Sequence, residues 1–393
     1  MTTPSHDPTL VAGSTVSGST AVPDGAQDGG TPLLDVQGLN VSFGRTSMLG
    51  RGRVLRAVKD VGLRIGHGET LGLVGESGSG KSTTGRAILQ LVRPDSGSVR
   101  LDGREILGIR GRELRRLRRQ MQMVFQDPYS SLDPSATVGA SITEPLRVHE
   151  GLSGRASRDR VSELLDLVGL RPSHADRYPY EFSGGQRQRI AIARALSTNP
   201  QLVVCDEAVS ALDVSTQNQV INLLEDLRAS LGLSYLFIAH DLALVRHISH
   251  RVAVMYLGHV VETGPIERVY EQAAHPYTQA LLSAIPDPHP DRAGKPRRIL
   301  LKGDLPDPAN PPTGCPFSTR CAYVMPICSS EMPAMTAVDG GGEVACHLQT
   351  SGPTLAGRAL TDLELADTRT AELGQAAGTP VGPEVPSMPA ART

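Results

Sequence analysis

A chain of 393 residues exceeds what one small core needs, so one large domain with extensions, or two domains, is expected. Its 39 basic and 41 acidic residues leave a formal net charge of −2, with no Trp and only 5 Phe, which excludes a global field for nucleic acid or anionic lipid and argues against an aromatic platform for single strands. No apolar run approaches the ~20 residues of a membrane-spanning helix, and Met1 to Asp7 lack the layout of a signal peptide, so a soluble cytoplasmic protein is expected.

In chain order, residues 1–31 are rich in Gly, Ser, Thr, Pro and Asp and read as a disordered tail. Leu34 to Phe43 alternates as a strand does. Leu71 to Val74 is a short buried-type strand, followed by a glycine-rich turn and a helix from Ser82 to Leu91. Val161, Leu164, Leu165 and Val168 fall at i, i+3, i+4 and i+7 and place one apolar stripe on a helix. Leu202 to Cys205 is a second buried strand. Val220, Leu223, Leu224, Leu227 and Leu231 mark a further helix. Tyr235 to Ala239 is a strand with His240 at its end. Pro and charge density rise after about Ile285, which marks a boundary to a smaller C-terminal unit, and residues 350–393 read as a second disordered tail. Strands alternating with helices predict a parallel sheet covered on both faces, with ligands beyond the C-terminal strand ends. Each polar motif falls at such an end.

The first motif is Gly75-Glu76-Ser77-Gly78-Ser79-Gly80-Lys81-Ser82. It has the Walker A spacing and lies between a strand and a helix. Glycines let the backbone wrap close to phosphate, and N–H groups and the helix N-terminus face the anion. Lys81 can reach the β- and γ-phosphates of ATP, Ser82 can hold Mg²⁺, and Thr83 follows in the same first turn. A plain glycine turn is the competing reading, disfavoured by the strand–loop–helix context. The second motif ends an apolar strand in Asp206-Glu207. Asp206 suits Mg²⁺, and Glu207 suits polarising the attacking water. An acidic strand end is common on any surface and gains meaning here from the phosphate loop. His240 stands where it could meet a γ-phosphate.

Phe182-Ser183-Gly184-Gly185-Gln186 opens a helix-like run from Arg187 to Ser197. Here the chain resembles the ABC ATPase family, whose signature reads Leu-Ser-Gly-Gly-Gln; Phe182 replaces the leading Leu and keeps an apolar anchor. Ser183 can cap the helix and, with the Gly185 N–H, offer hydrogen bonds to phosphate. The resemblance implies that this loop closes on the nucleotide of a partner subunit. Gln126 looks like the family's Q-loop glutamine, which senses Mg²⁺ and γ-phosphate; Ser210 to Asp213 looks like the D-loop, and His240 like the switch histidine. The motifs keep the family's order over roughly residues 33–285. Phe43 is a candidate for stacking on adenine, and a core position is the competing reading, because an insertion-like stretch from Gly44 to Arg53 blurs the match.

Within the family the sequence resembles the ATPase subunits of dipeptide and oligopeptide importers. Cys205 to Ser215, Ile238 to Leu242 and His275 to Leu282 carry that likeness. It implies a RecA-like α/β core with a β-rich N-terminal subdomain, a helical subdomain at about 130–195 and a C-terminal extension at 286–349. The ATPase would sit peripherally on the cytoplasmic face of the inner membrane. It would pair with a second, different ATPase beneath two permease subunits, fed indirectly by an extracytoplasmic substrate-binding protein, with no nucleic acid partner. Nickel or another small solute is an alternative cargo, and a soluble ABC ATPase acting on ribosomes or DNA is the reading from another class. The run Arg110, Arg112, Arg115, Arg116, Arg118 and Arg119 could serve nucleic acid, but the lack of interleaved aromatics favours a solvated helix face.

Cys315, Cys321, Cys328 and Cys346 are spaced C-x5-C-x6-C-x17-C. Four thiolates can enclose one metal centre. On donor chemistry alone an iron–sulfur cluster, Zn²⁺ and unligated thiols stay open; the resemblance implies a structural [4Fe–4S] cluster. Cys205, in the core strand, reads as a buried apolar residue.

Overall fold

The computed structural model describes residues 30–44, 54–285, 299–301 and 303–351. Both expected tails, apart from their inner ends, and most of the insertion-like stretch lie outside these residues. Strand β1 (Leu34–Phe43) buries Leu34, Val36, Leu39 and Val41, the alternation expected from its sequence. A register shift occurs between Val36 and Leu39, around Gly38 with φ +58°. β1 pairs antiparallel with β2 (Leu55–Ile65). β3 (Thr70–Val74) is buried throughout and runs into the glycine loop and the helix Lys81–Ile88. β4 (Ser96–Leu101) and β5 (Arg104–Glu105) return to the first sheet, which has the order β2-β1-β4-β5.

The remaining strands are β6 (Met121–Val124), β7 (Leu202–Asp206), β8 (Ser234–Ala239), β9 (Arg251–Tyr256), β10 (His259–Pro265), β11 (Met335–Ala337) and β12 (Glu343–Ala345). Together with β3 they form a second sheet of order β11-β12-β10-β9-β3-β8-β7-β6. The stretch β9-β3-β8-β7-β6 is parallel. Parallel strands are covered on both faces and therefore read as continuous apolar runs; β7 and β8 are buried at every position. The other edge is antiparallel, with Glu262 opposite Val344 and Thr263 opposite Glu343. Residues 335–345 thus extend the same sheet that carries the glycine loop.

Helices Val138–Glu150, Gly154–Leu167 and Gly184–Leu196 fill the region between β6 and β7. Val161, Leu164, Leu165 and Val168 are buried in one cluster with Ile142, Leu146 and Ile190, as their spacing predicts. The helix Val214–Leu231 buries Val220, Leu224 and Leu227, but Leu231, expected on the same stripe, is 47 % exposed in the last turn. The arginine run forms the helix Gly111–Gln120, which buries only Leu117. Arg119 pairs with Glu150 at 2.8 Å and Arg118 donates to the Gln90 carbonyl. Among the described residues no helix is long and apolar enough to cross a membrane.

Candidate nucleotide site

Because the strands are parallel, the ends of β3, β6, β7 and β8 present their following loops on one side of the sheet. The glycine loop after β3 is shaped by close approach. Gly80 has φ +105°, and a Cβ there would stand 2.2 Å from the Ala57 carbonyl oxygen; one at Gly75 would meet the Met255 carbonyl at 2.1 Å. Only glycine fits such positions. Ser77 and Gly78 at the loop's crest are exposed, while Lys81 is 4 % exposed. The Lys81 Nζ donates to the carbonyls of Gly75 at 2.7 Å and Glu76 at 2.9 Å. Burial lowers its pKa, against the opposing pull of Glu207, Asp206 and Glu76. A buried ammonium held only by loop carbonyls, in reach of three carboxylates, is suited to exchange those carbonyls for phosphate oxygens.

Two hydrogen bonds bring distant motifs together. Ser82 Oγ donates to Asp206 Oδ1 at 2.6 Å, across 124 positions of sequence. Asp206 is 1 % exposed at the end of β7, and Arg86 approaches its other oxygen at 3.3 Å. A hydroxyl and a carboxylate in contact beside a phosphate loop are the hard oxygen donors that Mg²⁺ takes, so the residues present fit that ion. Gln126 Nε2, in the loop after β6, donates to Glu207 Oε2 at 2.7 Å. Glu207 has a left-handed backbone, φ +48°, and its N–H donates to the Ile238 carbonyl of β8. Such a conformation is uncommon for a non-glycine residue and aims the side chain out of the strand line. His240 stands exposed just past β8. Phe43 is 42 % exposed at the end of β1, so the core reading of that residue does not hold.

The signature loop is a formed helix start. Ser183 Oγ accepts from the Gln186 N–H at 3.3 Å, and the Gln186 side chain accepts from the Ser183 N–H at 3.1 Å, a reciprocal capping box. Phe182 is 4 % exposed and anchors the entry, while Ser183 stays exposed. Gly184 and Gly185 pack on the D-loop region: a Cβ at Gly185 would meet Thr216 Cγ2 at 2.3 Å, and one at Gly184 would meet Leu212. Asp213 caps the helix Val214–Leu231, accepting from Ser215 Oγ at 2.6 Å, Thr216 Oγ1 at 2.8 Å and the Thr216 N–H at 3.0 Å. These bonds hold its carboxyl down to about 2. Among the described residues no hydrogen bond joins Ser183, Gly184, Gly185 or Gln186 to the phosphate loop. The expected site residues therefore fall into two groups: the phosphate loop with Asp206, Glu207 and Gln126 in one, and the capped signature with Asp213 in the other.

The ABC transporter family model matches residues 58–210, and the oligopeptide/dipeptide transporter C-terminal region matches residues 261–328. The oligopeptide transport ATP-binding protein OppF of Salmonella typhimurium is 52 % identical over 308 residues, covering 77 % of this chain and 92 % of that protein. The chain belongs to the ABC transporter ATP-binding family. Another ABC relative, the oligopeptide transport ATP-binding protein AppF of Bacillus subtilis, is 51 % identical over 295 residues, 75 % of this chain and 90 % of that one. Solved ABC structures agree in fold. CbiO1 of Clostridium perfringens, part of an ABC transporter complex, superposes with a TM-score of 0.54 at 28 % identity, over 61 % of this chain and 91 % of that one. The ATP-binding cassette MJ0796, a dimer bound to ADP and Pi, gives 0.53 at 30 % identity, over 59 % of this chain and 98 % of that one.

In the C-terminal segment of this ABC protein the four cysteines line one small pocket with His275 and His347. The histidines are engaged: His275 Nδ1 accepts from the Tyr277 N–H, and His347 Nε2 bonds the Glu331 carbonyl. Burial pushes the Cys321 and Cys346 thiols up to about 12 and raises Cys315 as well. Among the described residues no group of three or more His, Cys, Asp or Glu is arranged to hold a metal ion. The expected iron–sulfur or zinc centre thus has no support in the side-chain arrangement. Cys205 is fully buried, and burial beside Asp206 pushes its thiol up to about 12, in keeping with an inert core residue. Arg86, Arg187 and Arg320 were not legible as site residues. Arg187 lies 3.7 Å over the Tyr129 ring and donates to the Pro179 carbonyl, tying the signature helix to the segment after Gln126.

Proposed function

We propose that this chain is the ATP-hydrolysing motor subunit of an importer for oligopeptides or dipeptides, peripheral on the cytoplasmic face of the membrane. The observation that carries the reading is the convergence on Lys81 of two contacts, Ser82 with Asp206 and Gln126 with Glu207. The peptide cargo is supported by the names of relatives such as OppF and AppF and by the matching C-terminal region.

Gly75, Ser77, Gly78 and Gly80 leave room for the triphosphate, and Lys81 exchanges its carbonyl partners for phosphate oxygens. Ser82, Asp206 and Gln126 would hold Mg²⁺, which supplies charge neutralisation at the phosphates. Thr83 lies in the first helical turn, and Phe43 offers an exposed ring for the adenine. Glu207 orients the attacking water and accepts its proton, His240 meets the γ-phosphate, and in-line attack joins the water oxygen to the γ-phosphorus as the bond to the β–γ bridging oxygen breaks, releasing ADP and phosphate. Ser183 and Gly185 of a second ATPase subunit complete the site, with Gln186 fixing the cap and Gly184 and Asp213 at the junction. Val214, 73 % exposed beside Asp213, suits such an interface. Closure on ATP and reopening after hydrolysis would move two permease subunits, which an extracytoplasmic binding protein supplies with cargo.

Glu207→Gln keeps size and hydrogen-bonding capacity but removes the base. In the assembled transporter it is expected to bind ATP as wild type while turnover falls at least ~100-fold. Turnover near the wild-type rate contradicts the reading. A structural [4Fe–4S] cluster at the four cysteines is proposed on the family resemblance and on their lining one pocket, not on ligand geometry, which the described side chains do not form. Anaerobically purified full-length chain is then expected to contain iron and acid-labile sulfide; iron-free, colourless protein overturns that part.

A further inference from the structure

The phosphate loop is held from outside the ATPase motifs. Glu76 follows Gly75 in the loop and is gripped at three points. Its carboxylate accepts from Arg320 Nη1 at 2.9 and 3.1 Å. Its N–H donates to Tyr277 Oη at 2.9 Å, and its carbonyl accepts from Lys81 Nζ at 2.9 Å. Two of these anchors come from the C-terminal part of the chain. Tyr277 is fully buried, and the Arg320 side chain is 10 % exposed. Phe317, three residues before Arg320, packs on Tyr256 and Tyr277 with ring centroids 5.3 and 5.4 Å away. The guanidinium is therefore delivered from a fixed base, and Tyr256 Oη lies 3.4 Å from the same Nη1.

A carboxylate in a phosphate loop is an electrostatic liability. Lys81 already faces Asp206, Glu207 and Glu76, and a triphosphate adds several negative charges to the same small volume. Asp206 and Glu207 have chemical tasks there; Glu76 has none that the ATP reading uses. A planar, permanently charged guanidinium is well suited to neutralise a partly buried carboxylate.

We propose that Arg320 is a positioning residue for the nucleotide: by pairing with Glu76 it cancels the loop's own negative charge and fixes the Gly75–Glu76 backbone from which Lys81 turns towards phosphate. The C-terminal segment is then a wall of the ATP site as well as an edge of the sheet. The inference rests on the ATP reading above.

The test titrates the full-length chain with a fluorescent ATP analogue and measures KM and kcat in the assembled transporter. Arg320→Ala is expected to weaken binding about tenfold or more, raising KM with a much smaller change in kcat. Adding Glu76→Gln to Arg320→Ala is expected to restore affinity to within about threefold of wild type, because no carboxylate then needs a counter-charge. An Arg320 that merely staples the C-terminal segment predicts no such rescue. Wild-type binding by Arg320→Ala, or a double variant as weak as the single one, overturns the proposal. Where circular dichroism shows Arg320→Ala unfolded, Arg320→Gln decides: it keeps a polar side chain but removes the counter-charge to Glu76, so a loss of about threefold or more is expected, and wild-type affinity overturns the proposal. Lys81→Ala serves as the control. Unchanged binding in that variant removes the ATP reading itself, independently of Arg320.

Discussion

Glu207, Gly80 and His259 each show a residue conditioned by its neighbours rather than by its own type. Glu207 owes its direction to a left-handed backbone tied to Ile238. Gly80 is confined by the Ala57 carbonyl, and the turn before β10 lies against the same carbonyl, with Gly258 donating to Ser79 and accepting from Lys59. His259 begins β10, and burial, helped by the charge of Lys59, lowers its pKa from 6.5 to about 4. Between these two values the unfolded chain binds a proton that the folded one does not, so stability rises with pH across the window. The contribution is complete above 6.5 and is lost as pH falls towards 4. Thermal melts are expected to show Tm declining over this range, and declining less steeply in His259→Gln. Parallel declines in the two proteins would show that His259 does not titrate as described.

At the scale of elements, the segments that read clearly were those whose signal is local. β1, β3, β7 and β8 are apolar runs or alternations, and the helix carrying Val161, Leu164, Leu165 and Val168 shows its buried face in its spacing. Walker A and the signature were also legible, because a phosphate cradle and a helix cap need particular residues at fixed offsets. Other features depend on long-range pairing. Met335 to Ala345 has little to mark it as sheet, and it becomes two strands because β10 offers an open edge. Arg320 and Glu76 are 244 positions apart, and nothing near either residue announces the other. The four cysteines were visible by count and spacing, yet spacing does not fix where their sulfurs point. Leu231 shows the converse limit, since a stripe's last member can lie beyond the core that its helix covers.

At the scale of the molecule, one sheet carries the phosphate loop at its centre, the Gln126 loop at one edge and the C-terminal segment at the other. The signature helix, with its exposed Ser183, is built as a finished surface that no part of the same chain's phosphate loop bonds. A cap already formed before closure needs no ordering when a second subunit arrives, which favours tight engagement of the nucleotide. We propose that the catalytic unit consists of two chains clasping ATP between them. The most direct test is a structure of the assembled transporter carrying Glu207→Gln with Mg-ATP bound. Ser183 and the Gly185 N–H are expected within hydrogen-bonding distance of the γ-phosphate held by the second ATPase, with Lys81 on the phosphates of this chain's own ATP. A closed, ATP-loaded assembly in which Ser183 touches no triphosphate would contradict it.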